Sequence, residues 1–277
     1  MMRKVFLATT GSSLISNSLL EDKSVHVTGV VDFKTDAPEL QNAVLSKGVH
    51  YYPYDNMESF GKLIKSLNPD VLLVYKMPFL LPENIFTIPK YGSINIHPSL
   101  LPKYRGPNPW FWTYYYMETI GGITIHRIDK FEDHGDILAQ RCFEIKLGVE
   151  LHQLQQNAER LIYPVLSELL SNPDVIEGTP QTSISSDNRA PNVFDYSSII
   201  NLKEMDGVRI WHLLRGFPWL LSKIVKKCGH NYKIGDYIFE PEQKKEMIGD
   251  IIHENGYDYL YCVNGKILLT DIAVFTP

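Results

Sequence analysis

The sequence predicts an α/β fold: a Rossmann-like, mostly parallel sheet with helices on both faces, followed by a small C-terminal segment containing a β-hairpin. Three observations lead there. Short strand-like runs alternate with helix-like stretches through the first half of the chain. Runs such as VLLVY (Val71–Tyr75) and SINI (Ser93–Ile96) are nearly continuous in apolar character, as interior parallel strands are. Near the end, Asn264-Gly265 separates two apolar-rich runs, the strongest short-range hairpin signal in the chain.

The elements follow in order. KVFLATT (Lys4–Thr10) is rich in β-formers and opens the sheet. A helix is expected over Leu14–Glu21, a strand over Val25–Asp32, a helix over Glu39–Ser46 and a short strand over Val49–Tyr52. A helix over Met57–Leu67 leads to a strand over Asp70–Tyr75. Next come the strand GSINIH (Gly92–His97), a proline-rich loop and a helix over Asn108–Glu118. GGITIHRID and DILAQRCFEI read as two strands joined by the loop KFEDHG (Lys130–Gly135). A helix over Leu151–Leu170 closes the unit, and Asn172-Pro173 and Gly178-Thr179-Pro180 mark its end. The expected division is an α/β domain over residues 1–180, then a linker and small α+β segment over 181–277. Residues 181–200 are polar and read as a surface linker. DGVRIWHLLRGFPWLLSKI is helical with a break at Gly216-Phe217-Pro218.

Composition narrows the function classes. The chain has 277 residues, 44% of them hydrophobic and 21% charged, an ordinary globular balance. A formal net charge of -5 disfavours nucleic acid as the partner. Cys142, Cys228 and Cys262 are far apart, which fits neither a disulfide framework nor a zinc site, so no metal is expected. Reduced thiols fit a cytoplasmic location. The apolar run in MMRKVFLATTGSS is too short for a secretion signal. The longest apolar candidate, DVLLVYKMPFLL, is interrupted by Lys76 and Pro78, so no membrane span is expected.

Chemistry concentrates in INIHPSLLPKYRGPNPW (Ile94–Trp110). Asn95 and His97 fall on one strand face, because side chains alternate with period two. They end a strand of an open sheet, where ligands bind beyond the carboxyl ends. A capped strand end with a structural histidine explains these two residues equally well. The loop after the next strand adds Asp129, Glu132, Asp133 and Asp136. Acids are common in turns for backbone reasons alone. Together, however, Asn, His and Asp make a set for acyl transfer: an oxyanion donor, a proton carrier and a carboxylate to orient it.

INIHPSLLPKYRG followed by GGITIHRIDKFEDHGDILAQ resembles the folate-dependent formyltransferase family. The first signature is Asn95, His97, Ser99-Leu100-Leu101-Pro102, Lys103 and Arg105-Gly106; the second is Asp133-His134-Gly135-Asp136. The resemblance covers about residues 3–170 and extends more weakly to Leu213–Trp219. It implies a Rossmann-like catalytic domain and 10-formyltetrahydrofolate as co-substrate. It also implies attack of a primary amine on the formyl carbon, with Asn95, His97 and Asp133 as the catalytic residues. His97 then acts either as a base or, protonated, as an oxyanion stabiliser. The resemblance further implies that Met77, Pro78, Phe79 and Leu80 hold the pterin through backbone groups and that Asp136 shapes the folate pocket. Lys103, Arg105 and Trp110 are expected to contact the acceptor.

The resemblance also bears on the acceptor. The stretch VDFKTDAPELQNAVLSKG lacks the basic inserted loop of the methionyl-tRNA enzymes, and the tail is too short for their barrel domain. Glycinamide ribonucleotide formyltransferases end soon after the core. What remains is most like the N-formyltransferases of nucleotide-linked amino sugars in surface polysaccharide synthesis, several of which are homodimers. A methionyl-tRNA-type enzyme, another small amine, and a non-catalytic folate- or nucleotide-binding module are the alternatives. A nicotinamide-dependent oxidoreductase is weaker, since ATTGSS lacks G-x-G-x-x-G.

Overall fold

A computed structural model describes residues 2–34, 38–172, 177–182, 189–225, 232–241 and 245–271. The chain divides into two compact units: Met1–Pro109 with Gly121–Phe143 and Gln156–Pro191, and Trp110–Ile120 with Glu144–Gln155 and Asn192–Pro277.

The elements begin with β1 (Arg3–Thr9), α1 (Leu14–Glu21), β2 (Val25–Asp32), α2 (Pro38–Ser46), β3 (Tyr51–Pro53), α3 (Met57–Leu67) and β4 (Val71–Tyr75). They continue with α4 (Glu83–Phe86), β5 (Ser93–His97), α5 (Pro109–Tyr115), β6 (Ile120–Arg127), β7 (Ile137–Glu144) and α6 (Leu151–Ser171). Seven of the described strands form one sheet in the order β3-β2-β1-β4-β5-β6-β7. Its strands from β3 to β5 are parallel, and β6 runs antiparallel to β5. Its central strands β1 and β4 are buried on both faces, as their apolar runs require. Phe6, Ala8, Leu72 and Val74 pack with Phe60 and Ile64 of α3 and Ile85 of α4. Val5, Leu7, Leu73 and Tyr75 alternate to the other face, where the Tyr75 hydroxyl reaches Glu159 of α6.

Local chemistry sets the helix ends. Ser13 caps α1, accepting the Ser16 amide while the Ser16 hydroxyl accepts the Ser13 amide. Asn56 caps α3 through the Ser59 amide, and Asn68 in left-handed conformation (φ 44°) stops it before Pro69. Two expectations shift. The third strand lies at Tyr51–Pro53 rather than Val49–Tyr52, since its pairing to β2 starts at Val30–Tyr51. The single-turn α4 escaped the sequence reading because four residues are too few for a periodic signal.

In the second unit, α7 (Gly207–Gly216) starts at the Asp206 cap. It ends where Gly216 lies so close to the Tyr114 ring that a Cβ would sit 2.4 Å from it. Pro218 then forces a tighter turn before α8 (Leu221–Ile224), so the expected break is present. Strands β8 (Tyr232–Phe239), β9 (Ile251–Glu254), β10 (Tyr257–Cys262) and β11 (Gly265–Asp271) form an antiparallel sheet, ordered β8-β11-β10-β9. The hairpin is there, but its turn is Val263-Asn264, because Cys262 pairs with Gly265. Gly265 is required by crowding: a Cβ would fall 2.4 Å from the Ile238 carbonyl oxygen. The last part of the expected hairpin run, 272–275, and residues 183–188 of the expected linker lie outside the described residues.

Candidate active site

The site is assembled on β5 and the chain that follows it. Beyond His97, the loop is pinned by its own groups and by side chains of β6 and β7. The Ser99 hydroxyl donates to the Lys103 carbonyl at 2.6 Å, and the Thr124 hydroxyl donates to the Ser99 carbonyl at 2.6 Å. Gln140 Nε2 donates to the Leu101 carbonyl and the Thr124 hydroxyl, each at 2.9 Å. Tyr104, held at φ 61°, turns its carbonyl toward His97 Nε2 at 2.8 Å. That carbonyl requires a hydrogen on Nε2. Nδ1 is therefore the nitrogen of His97 left to exchange a proton, and it faces Asp133 Oδ2 at 3.3 Å.

Asp133 reaches this position by an indirect route. Because β6 is antiparallel to β5, Thr124 lies opposite His97 and Arg127 opposite Ile94. The acidic loop thus leaves from beside Ser93, at the end of β5 away from His97. It folds back across the strand face that carries Asn95 and His97. Two backbone features allow this. Asp133 adopts φ 46°, a left-handed conformation that Asp tolerates. Gly135 passes so near the Arg127 carbonyl oxygen that a Cβ would lie 2.1 Å from it.

The resulting cluster is tight. Asp133 Oδ2 accepts the Gly106 amide at 2.9 Å, and Oδ1 lies 3.4 Å from Asn95 Nδ2. Asn95 Nδ2 also donates to His126 Nε2 at 3.1 Å, while His126 Nδ1 donates to the Arg127 carbonyl at 2.8 Å. Burial pulls the His97 imidazole below its ordinary range and outweighs the pull of Asp133 in the other direction. Burial alone would raise the Asp133 carboxyl. The facing imidazoles of His97 and His126 and the Gly106 amide outweigh it and hold the carboxyl well below the usual range. At neutral pH the cluster is a carboxylate beside a neutral His97.

A second buried carboxylate lies on the same sheet. Glu159 of α6 accepts the Tyr75 hydroxyl at 2.7 Å, the Leu14 amide at 2.8 Å and the Ile15 amide at 3.4 Å; Lys76 Nζ lies 3.4 Å away. It thereby ties the first turn of α1 to the end of β4, where the segment expected to hold the pterin begins. Burial and the Glu159 carboxylate raise the Tyr75 phenol well above its ordinary value.

The expected site residues divide into groups. Asn95, His97 and Asp133 are brought together. Met77–Leu80 leaves β4 as an open segment: Phe79 is 43% and Leu80 64% exposed, and among the described residues their amides take no hydrogen bond. Free peptide edges of this kind suit the donor and acceptor edge of a pterin ring, so the segment fits that group. Asp136 is half-buried against Gly178. Lys103 is exposed beside the Tyr104 ring. Arg105 departs from expectation. It is buried, and its Nε and Nη2 donate to the Glu132 carbonyl at 3.0 and 2.6 Å, so it braces the acidic loop instead of reaching outward. Trp110 is half-buried and belongs to the second unit.

His126 is a hydrogen-bonded core residue, and the β5–β6 register sets it opposite Asn95. Glu159 and Gln181 were missed because nothing local marks them. Among the described residues, no three His, Cys, Asp or Glu side chains are grouped to hold a metal ion, and no helix is long and apolar enough to cross a membrane.

Comparison with known proteins gives this geometry a context. Residues 10–170 match the formyl transferase family model. The chain is 33% identical to the methionyl-tRNA formyltransferase of Caldanaerobacter subterraneus subsp. tengcongensis over 79% of this chain and 75% of that one. It is 30% identical to the enzyme of that name from Ehrlichia ruminantium (strain Gardel), over 62% of this chain and 61% of that one. The fold is similar to HypX from Aquifex aeolicus in complex with tetrahydrofolic acid (TM-score 0.61, 15% identity, 97% of this chain and 43% of that one). It is also similar to phosphoribosylglycinamide formyltransferase from Anaplasma phagocytophilum (TM-score 0.56, 21% identity, 70% of this chain and 100% of that one). The mostly parallel sheet and the matching family model together define a one-carbon transfer enzyme class. This chain belongs to the formyl transferase family, whose formyl donor is formyl-tetrahydrofolate.

Proposed function

We propose that the chain transfers the formyl group of 10-formyltetrahydrofolate to the primary amine of a nucleotide-linked amino sugar, as a cytoplasmic homodimer serving surface polysaccharide synthesis. The observation that carries the chemistry is the convergence of Asn95, His97 and Asp133 over β5. The bound folate supplies an electrophilic formyl carbon. Asn95 Nδ2 donates to the formyl oxygen as negative charge grows there, exchanging a donation it otherwise makes within the cluster. The proton leaving the amine passes to the Asp133–His97 Nδ1 pair, which is the base form at neutral pH, and is returned to the folate N10 as the bond between N10 and the formyl carbon breaks and tetrahydrofolate leaves. Met77–Leu80 binds the pterin edge, Asp136 lines that pocket, and Lys103 meets the acceptor's phosphate. In this reading residues 1–180 form the catalytic part.

Support for the sugar acceptor comes from charge. A net charge of -5 gives little attraction for a tRNA backbone. The methionyl-tRNA reading is the second candidate, because relatives to which the chain is 33% and 30% identical carry that name. One panel separates them: formyl transfer from 10-formyltetrahydrofolate to dTDP-, UDP- and GDP-amino sugars and to initiator methionyl-tRNA, with wild type and His97→Ala. Turnover of one sugar nucleotide that collapses in the variant supports the proposal. Turnover of the tRNA alone overturns the acceptor and keeps the chemistry.

A further inference from the structure

The acidic loop folds back over β5 against the direction in which β6 delivers it, so something must hold it there. The segment after α6 does. Gln181 Nε2 donates to the Asp133 carbonyl and to the Gly135 carbonyl, both at 2.9 Å. Two carbonyl acceptors fix the amide orientation, because only its NH2 end can serve both. The opposite end, Oε1, is buried and has no hydrogen-bond partner among the described residues. Burying an acceptor in this way costs stability, and this side chain bears that cost at the two carbonyls flanking the turn. Its neighbours run along the same loop. Thr179 and Ile137 exchange backbone hydrogen bonds of 2.8 and 2.9 Å, and a Cβ on Gly178 would lie 2.4 Å from Asp136 Cβ.

We propose that Gln181 is a positioning residue: its side-chain amide holds the Asp133 and Gly135 carbonyls, and so keeps the left-handed Asp133 turn in the conformation that presents the carboxylate to His97 Nδ1 and the Gly106 amide. The inference rests on Asp133 acting in formyl transfer as proposed above. Gln181 touches neither substrate nor donor; it acts through Asp133.

The test reads the Asp133–His97 contact directly. The charged and titratable groups facing His97 are Asp133 and Glu132 from the loop and His126 from β6. Of these, Asp133 is the one that Gln181 holds. The His97 imidazole is titrated by NMR in wild type, Gln181→Met, Gln181→Glu and Asp133→Asn. Met removes both donors at similar size; Glu keeps the shape but sets a carboxylate against two carbonyls. Without the clamp, Asp133 moves away and His97 loses its nearest negative neighbour. Its midpoint then falls by about half a pH unit, to between wild type and Asp133→Asn. In formyl transfer, kcat falls roughly tenfold while KM for 10-formyltetrahydrofolate is unchanged. A wild-type His97 midpoint in either folded Gln181 variant overturns the proposal, as does a loss confined to KM. The titration needs no acceptor. If no amine is ever formylated yet the midpoint moves, the clamp stands and the transfer reading falls.

Discussion

Asp133 and Glu159 are both buried carboxylates over the same sheet, with side chains 14% and 4% exposed, yet they are held by different means. Glu159 projects from a regular helix and accepts two amides at the start of α1 and a tyrosine hydroxyl. Its donors are mostly groups that the fold must satisfy anyway, and a helix amino terminus favours negative charge. Asp133 sits in a left-handed turn, faces two imidazoles, and depends on a glycine, a buried arginine and a distant glutamine to stay there. In the proposed reading, strained backbone and proton-exchanging neighbours make Asp133 the carboxylate that serves the chemistry, and saturation by amides makes Glu159 the one that serves the fold.

Breaking each member of the pair should therefore produce opposite losses. The largest expected effect is on turnover: His97→Ala or Asp133→Asn lowers kcat by about a thousandfold, with folate binding near wild type and a smaller loss of Tm than Glu159→Ala, as steady-state transfer and thermal unfolding would read. Equal losses in Tm and kcat would erase the contrast. Glu159→Ala should lose about 3 kcal/mol of stability, since two amides and a hydroxyl are left without a partner. That corresponds to a Tm drop of roughly 6–12 °C, with kcat at 25 °C changed less than tenfold.

The pH profile sharpens the contrast further. Burial lowers the His97 pKa, so its neutral form persists below the ordinary histidine midpoint of about 6.5. If neutral His97 takes the proton, the acid limb of kcat/KM lies below that value and activity is full at pH 7. If the imidazolium were the working form, activity would instead fall as pH rises through the lowered pKa and be small at pH 7. His126→Gln should cost roughly tenfold in kcat by freeing Asn95 to rotate, with stability changed less than in Glu159→Ala. The smallest effect belongs to Lys103→Ala: acceptor KM rises by about threefold and kcat holds, because an exposed cation contributes little beyond steering.

The same contrast explains what could be read before the structure. The sheet, α3, the break at Pro218 and the Asn95/His97 pair were legible because each is written in adjacent residues: apolar periods, a proline, a period-two spacing. The direction of β6 was not, because a run of β-formers carries no sign for parallel or antiparallel pairing. That one unknown hid the contact between His126 and Asn95, which follows from the register. Arg105 was read outward because a basic loop residue near a site usually is; the carbonyl of Glu132 turns it in. Residues 181–182 and 189–191 were read as plain linker because they are polar, yet the backbone of Ala190 pairs with Arg105, Asn108 and their loop.

The antiparallel β6 has a consequence for how the chain is made. Asp133 and the glutamine that holds its carbonyl are 48 positions apart, and the Arg105–Arg189 bridge closes a still longer loop. On a ribosome adding roughly 5–20 residues per second, Asp133 emerges several seconds before Gln181. During that interval the first strands can pair while the acidic loop has nothing to hold it back over β5. A nascent chain stalled before Gln181 would carry a nearly complete sheet and an unfinished active site.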